Sequence, residues 1–325
     1  MQKFRNIIFI ALLGLLFAEV LIVFPAHVGR QKDASAPATP SDEAEMTAPG
    51  ATEQKMRGVH LVESQKGSRD WELFAQAAEG NQGKGTWNLQ NMRVLFYNRD
   101  KVEFTVTGQD GSIDMKTKDM RVRGDVVTTS ANGYTFRTQE VEYSSQNRKI
   151  ISPSAVLMTG PKDRDGEGMK VRGRRMIVDV ESSRMTIPES VTAEKAISRG
   201  RFVKLASQAV EFSGRNKTAR FSGNVVMEYD RMKVEGPEAS FLSAGSDNFL
   251  SNVQFSGGIK VSDLDKFATS ENLNLDLLAN RFVFTGKPKV YQNNDELSGE
   301  QIIFLDGGKK VKVEGVRARV EKTEK

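Results

Sequence analysis

The chain has 325 residues, of which 47 are basic and 42 acidic, for a formal net charge of +5, with two histidines and no cysteine. The two signs are interleaved and form no basic stripe, which fits a solvated sheet face and argues against nucleic acid as a partner. With no cysteine and only His27 and His60, the raw material for His/Cys metal clusters and for Cys/His or Ser/His nucleophilic centres is missing, so neither a catalytic residue nor a cofactor is expected.

Ile7 to Phe24 reads IIFIALLGLLFAEVLIVF and follows Lys3 and Arg5. At about 1.5 Å per residue a helix of this length crosses most of a hydrocarbon core of about 30 Å, and its basic flank stays in the cytoplasm. No small-residue cleavage site follows, because the next residues are Pro25, Ala26 and His27. Residues 1–26 are therefore expected to form an uncleaved single-pass anchor, with the rest of the chain outside the cytoplasm. Glu19 within this run reads either as a contact to a partner helix or as a side chain reaching the outer interface. Residues 27–55 hold Pro37, Pro40 and Pro49 and hardly any large apolar side chain, and are expected to be a disordered linker.

From residue 56 a period of two dominates. Trp71, Leu73 and Ala75 alternate with Glu72 and Phe74, Met92, Val94 and Phe96 with Arg93 and Leu95, and Val102, Phe104 and Val106 with Glu103 and Thr105. Ile113 and Met115, Tyr134 and Phe136, and Val141 and Tyr143 continue the pattern. Asn272 to Leu278 comes nearest to a helical stripe, but Leu273, Leu275 and Leu277 also share one face of a strand. Gln109-Asp110-Gly111, Ala131-Asn132-Gly133, Asp163 to Gly168, Ser213-Gly214 and Asp306-Gly307-Gly308 read as turns. The spacing predicts an all-β chain of many short strands, a sandwich or jellyroll.

A glycine pattern recurs along these strands. Val122-Arg123-Gly124-Asp125-Val126, Phe221-Ser222-Gly223-Asn224-Val225, Phe255-Ser256-Gly257-Gly258-Ile259 and Phe284-Thr285-Gly286 through Val290 share it, with a looser copy at Val313-Glu314-Gly315-Val316. The last four glycines lie 34, 29 and 29 residues apart. Each copy is expected to put one strand's end, a glycine at positive φ or in a bulge, and the next strand's start into a few residues, so that the chain reverses or bends there, and the repeat marks a stacked β architecture. Arg121 to Val127 and Arg220 to Val226 match at a distance of 99 residues. Pro188-Glu189-Ser190 closes the first set, so the domains are read as 56–192 and 193–325. Gly80 to Thr86 lacks phosphate-loop spacing, and Asp163 to Gly168 lacks the later ligands of a calcium loop.

These residues carry a resemblance. The anchor, the linker, Gly58, Trp71-Glu72-Leu73, Gly111-Ser112-Ile113-Asp114, Gly124-Asp125-Val126 and Gly168 through Gly173 resemble, in that order, the LptC family of membrane-anchored lipopolysaccharide-export proteins over about residues 1–190. From about residue 195 to 321, Gly223-Asn224-Val225, Phe255-Ser256-Gly257, Gly286-Lys287-Pro288-Lys289-Val290 and Leu297-Ser298-Gly299 are similar to the LptA/OstA family of soluble bridge proteins. The resemblance implies tandem β-jellyrolls whose inner groove holds acyl chains, behind an inner-membrane anchor with the bulk of the chain in the periplasm. Its implied partners are lipopolysaccharide, an inner-membrane ABC transporter complex, and further bridge subunits or an outer-membrane receiver joined by edge-strand stacking.

The physics behind such a groove is independent of the family. Moving a chain of a dozen carbons through water costs on the order of 10 kcal/mol at about 0.8 kcal/mol per CH₂, whereas an unbroken apolar trough leaves only small steps. Candidate lining residues are Trp71, Leu73, Val94, Phe96, Phe104, Val106 and Phe136 in the first unit, and Phe212, Phe221, Val225, Phe255, Ile259 and Phe284 in the second. An ordinary sandwich core has the same alternation, so packing and lipid contact stay open for each of them. Lys170, Arg172, Arg174 and Arg175 form a basic cluster that reads either as a contact for lipid phosphates or as solvated strand-face cations. The competing function is an anchored periplasmic β scaffold that binds protein or cell-wall partners without lipid.

Overall fold

The computed structural model describes residues 53–319 apart from 66, 82–84, 163–167, 198–199, 215–216, 245–248, 265, 294 and 306–309. The anchor read at 1–26, with Glu19, and residues 27–52 of the linker lie outside the described residues, as do parts of the loops at Gly80–Thr86 and Asp163–Gly168 and the whole of the turn read at 306–308. No helix among the described residues is long and apolar enough to cross a membrane.

The described chain is a succession of antiparallel strands. They are β1 (Glu53–Gln65), β2 (Ser68–Asn81), β3 (Thr86–Asn98), β4 (Lys101–Asp114), β5 (Met120–Ser130), β6 (Thr135–Ser144), β7 (Lys149–Thr159) and β8 (Lys170–Asp179). Next come β9 (Arg184–Ile187), β10 (Glu189–Ile197), β11 (Arg201–Ser207), β12 (Ala209–Ser213), β13 (Thr218–Tyr229), β14 (Met232–Ala244) and β15 (Phe249–Asp263). The last are β16 (Lys266–Asp276), β17 (Arg281–Thr285), β18 (Lys289–Gln292), β19 (Asp295–Ser298), β20 (Gln301–Leu305), β21 (Lys310–Glu314) and β22 (Arg317–Arg319). β1 starts three residues inside the stretch read as linker, because Gln54 and Lys55 pair with Gly80 and Glu79, and the Lys55 ammonium lies 2.9 Å from Glu79.

The sheet is a meander, in which successive strands are neighbours. Several of the short strands are halves of one broken strand: β8 pairs with both β9 and β10, β13 with both β11 and β12, and β16 with both β17 and β18. The sheet passes from the first half of the chain to the second without interruption through the β10–β11 pairing, from Val191↔Ser207 to Ile197↔Arg201.

A line of irregularities crosses the middle of these strands. The register slips between Thr107 and Asp110 on β4, Arg123 and Val126 on β5, Ser152 and Ala155 on β7, Ser222 and Val225 on β13, and Ser256 and Ile259 on β15. At two of these slips the cause is plain. Gly124 (φ 79°) and Asp125 (φ 46°), like Gly223 (φ 78°) and Asn224 (φ 48°), are consecutive left-handed residues. Glycine tolerates that conformation, and asparagine and aspartate are the non-glycine residues that reach it most readily. The neighbouring strand also lies close over these glycines: a β-carbon on Gly124 would meet the Gln109 Cβ at 3.0 Å, and one on Gly223 the Gln208 Cβ at 2.8 Å.

The glycine copies therefore mostly lie inside strands and bend them. Of the reversal or bend expected at each copy, Gly286, between β17 and β18, and Gly315, between β21 and β22, join one strand's end to the next strand's start, while Gly124, Gly223 and Gly257 sit at bends inside a strand. Gln109-Asp110-Gly111, read as a turn, is likewise the crease of β4. Bulges bend a strand and sharpen its twist, so a line of them folds the sheet into two arms.

The arms face one another over a single apolar cluster that extends from Trp71 to Ile302. Tyr134, beside the β5–β6 turn, packs on Phe212 of β12 with ring centroids 5.8 Å apart, and Tyr229 of β13 packs on Phe282 of β17 at 6.4 Å. At the other end Phe96 of β3 meets Tyr143 of β6 at 4.6 Å. The Asn98 side chain donates to the carbonyls of Val180 and Glu181 in the turn after β8, at 3.2 and 3.0 Å. Leu273, Leu275 and Leu277 are all buried, and the strand reading of that segment is the correct one.

Candidate functional site

All thirteen groove candidates face inward and are 5% exposed or less. Trp71 and Leu73 come from β2, Val94 and Phe96 from β3, Phe104 and Val106 from β4, and Phe136 from β6. Phe212 comes from β12, Phe221 and Val225 from β13, Phe255 and Ile259 from β15, and Phe284 from β17. The structure brings them together in one apolar interior that their own side chains close. The pleat puts them there: Phe221 and Val225, four residues apart, share one face by the strand's period of two, and the slip at Gly223–Asn224 between them leaves that alternation intact.

The basic cluster lies elsewhere. Val171 of β8 is buried while Arg172 beside it is exposed, so Arg172 stands on the outer face of the sheet. There it lies 3.8 Å from Glu194, and Arg175 lies 3.7 Å from Glu189, both across the β8–β10 pairing. Arg172 also borders an outer hollow of about 600 Å³ with Val127, Arg137 and Leu157. A larger hollow of about 670 Å³ follows the crease in the second half, beside Val226, Glu235, Lys260 and Lys287. The cluster is thus separated from the apolar candidates by the thickness of the sheet. No group of His, Asp or Glu among the described residues is arranged to hold a metal.

Two polar features inside the roll were not singled out from the sequence. Asp70, 6% exposed, takes a hydrogen bond from the Tyr143 hydroxyl at 3.3 Å and lies beside the Arg148 guanidinium. Burial, with the Asp70 charge adding to it, pushes the Tyr143 phenol well above its ordinary range. These three residues are distant in sequence and carry no local signal. Lys195, 4% exposed, is the one cation among the buried described residues. Its signal was available, because it shares the inward parity of Val191, Ala193 and Ile197 on β10.

The two ends of the sheet are edges among the described residues. β1 pairs only with β2, and β21 and β22 pair only with β20 and β19. Both edges expose apolar side chains, Met56 and Val62 on the first, Val311 on the second and Val316 just before β22.

Comparison with known proteins divides the chain at the β10–β11 turn. The family described as lipopolysaccharide-assembly, LptC-related, matches residues 20–196, and the family described as LptA/(LptD N-terminal domain) LPS transport protein matches residues 204–307. No protein of curated function matches the chain. Among solved structures it is similar to LptH of Pseudomonas aeruginosa, described as the LptA-homologous periplasmic component of the lipopolysaccharide transport device. That likeness has 14% identity and a TM-score of 0.33, and it covers 37% of this chain and 95% of that one. The chain belongs to the LptC-related lipopolysaccharide-assembly family and carries an LptA-like region behind it on the same polypeptide.

Proposed function

We propose that this chain is an anchored periplasmic conduit for lipopolysaccharide, in which two fused β-jellyrolls hold acyl chains between their arms. The membership of both regions in lipopolysaccharide-transport families supports a part in that transport. The observation that carries the conduit is the continuity of the interior: one apolar cluster runs through both regions, and Tyr134 of the first, packed against that cluster, stacks on Phe212 of the second. A path of that kind replaces a transfer through water, costly at about 0.8 kcal/mol per CH₂, by steps between equivalent apolar positions.

On this reading residues 1–26 hold the chain in the inner membrane and the rest lies in the periplasm. Lipid arrives from an ABC extractor at the β1 edge and leaves toward the outer membrane at the β21–β22 edge, where unpaired strand groups accept the next unit. Because the interior is closed by its own side chains, the arms part to admit acyl chains.

A closed interior equally suits a β scaffold that holds no lipid, and photo-crosslinking separates the two. A photoreactive residue placed at Phe104 or Phe255 is expected to capture lipopolysaccharide in cells, and one at exposed Phe267 is not. Failure at every inward position, with only protein partners captured at outer ones, leaves the scaffold.

A further inference from the structure

Where the two halves meet, the rims of the arms enclose a hollow of about 40 Å³ bordered by Tyr134, Met169, Lys195, Phe212, Lys217 and Phe241. The first three belong to the region matched at 20–196 and the last three to that at 204–307. This is the mouth of the roll: Tyr134 follows the β5–β6 turn and Lys217 precedes β13. A β-carbon built on Gly214 would lie 3.2 Å from the Asn132 amide nitrogen.

Lys195 is out of keeping with its surroundings. Its neighbours on the inward face of β10, Ala193 and Ile197, are apolar and buried. A buried ammonium is costly unless an anion or a set of acceptors compensates it. Both Lys195 and Lys217 hold polar contacts in this structure. Burial keeps the Tyr134 phenol above its ordinary range, so its hydroxyl remains a donor at neutral pH. Two lysines and a tyrosine thus border one hollow where the two halves meet. An amphiphile with its tails between the arms has to place its headgroup at that rim.

We propose that Lys195, Lys217 and Tyr134 form a station for a phosphorylated headgroup at the seam, reading the anionic end of an amphiphile whose acyl chains occupy the interior. The station rests on the conduit reading and adds to it a fixed position at which the lipid pauses between the halves. The hollow has room for about one water, so it widens as the arms part.

The test uses the full chain in neutral-lipid nanodiscs and the displacement of a neutral fluorescent fatty-acyl probe. The competitors are a bisphosphorylated acyl disaccharide, the same disaccharide stripped of phosphate, and inorganic phosphate. The wild-type chain is expected to prefer the phosphorylated form, and Lys195→Met to lose about tenfold for it and nothing for the stripped form, while Lys195→Arg keeps most of the preference. Equal affinities of Lys195→Met and wild type overturn the station and leave the conduit standing. If neither disaccharide displaces the probe from wild type, the conduit reading falls and the station with it. If inorganic phosphate blocks the preference at equal concentration, the site is one for free phosphate and the headgroup assignment is wrong. Should Lys195→Met fail to fold, the exposed Lys217→Met carries the same comparison, with about threefold loss expected and no loss contradicting.

Discussion

The Arg148 guanidinium nitrogen Nε lies 2.7 Å from Asp70 Oδ1, tying the start of β2 to the turn between β6 and β7. The two atoms are close but not aligned as a hydrogen bond, so charge holds them. Arg148 also donates to the Tyr97 carbonyl at 2.7 Å and Tyr143 donates to the other Asp70 oxygen, which makes a small buried network. It joins the two arms at the end of the roll where β1 forms the edge.

Removing one partner of a buried pair strands the other. Asp70→Ala is expected to lower stability by about 3 kcal/mol, at the lower end of the range for buried pairs because Arg148 keeps some solvent contact. Urea denaturation of both single variants and of the double variant checks this. The double variant should lose clearly less than the sum of the singles.

The same network sets an alkaline limit. Tyr143 is buried with its phenol held above the ordinary value near 10, so it stays neutral when folded after an unfolded chain would ionise it. Its contribution is complete below about pH 10 and is lost as pH rises from there through the folded value. A phenolate absorbance titration should show Tyr143→Phe removing a late-ionising group, with the alkaline decline in stability reduced.

An acid limit comes from the turn that Asn98 grips. The Asp179 carboxylate is depressed below its ordinary value: burial is the largest single influence and opposes this, but the Ser182 amide, which donates to it at 2.8 Å, together with the Ser182 hydroxyl, the Lys149 charge and the Glu181 amide outweighs burial. That contribution is present above about pH 4 and is lost as pH falls through the folded value. Asp179→Asn should flatten the decline of the melting temperature below pH 4 and leave neutral-pH behaviour of the β1 end unchanged.

The crease makes a backbone prediction. Gly223→Ala puts a side chain at φ 78° against Gln208, and is expected to cost about 2 kcal/mol from the left-handed conformation together with the crowding. Adding Gln208→Ala should return the crowding part and leave the conformational part. Equal losses in the single and double variants would show that Gln208 yields freely.

The anchor reading is open to fractionation. Replacing residues 1–26 by a cleavable secretory signal is expected to move the chain from the membrane to the soluble periplasmic fraction. A chain so altered and still found wholly with the membrane would mean that another surface holds it there.

Much of the fold was legible where the physics is local. Alternation at Trp71, Leu73, Phe104, Val106, Leu273 and Leu275 states which face is buried, and the structure buries each of them. The position of the bends was harder to see. At Val122 and Val126 the bulge preserves the alternation, so only the glycine is visible, and a glycine inside a strand reads like one at its end. The Asp70–Arg148 tie and the Tyr134–Phe212 contact depend on how the arms close, which no short window encodes. Lys195 was legible by parity alone, but a lone lysine in an apolar row reads as a solvated side chain until the turns around it are placed.

The claim on which the account rests is that the closed arms open for acyl chains. The natural chain has no cysteine, so single cysteines at Arg231 and Leu278, in turns on either side of the Tyr229–Phe282 contact, give a unique spin-labelled pair. Distance measurement by electron–electron resonance on the full chain, with and without bisphosphorylated acyl disaccharide, is the direct test. The conduit predicts a longer distance with lipid present and a return when it is removed, whereas an unchanged distance under saturating lipid would contradict it.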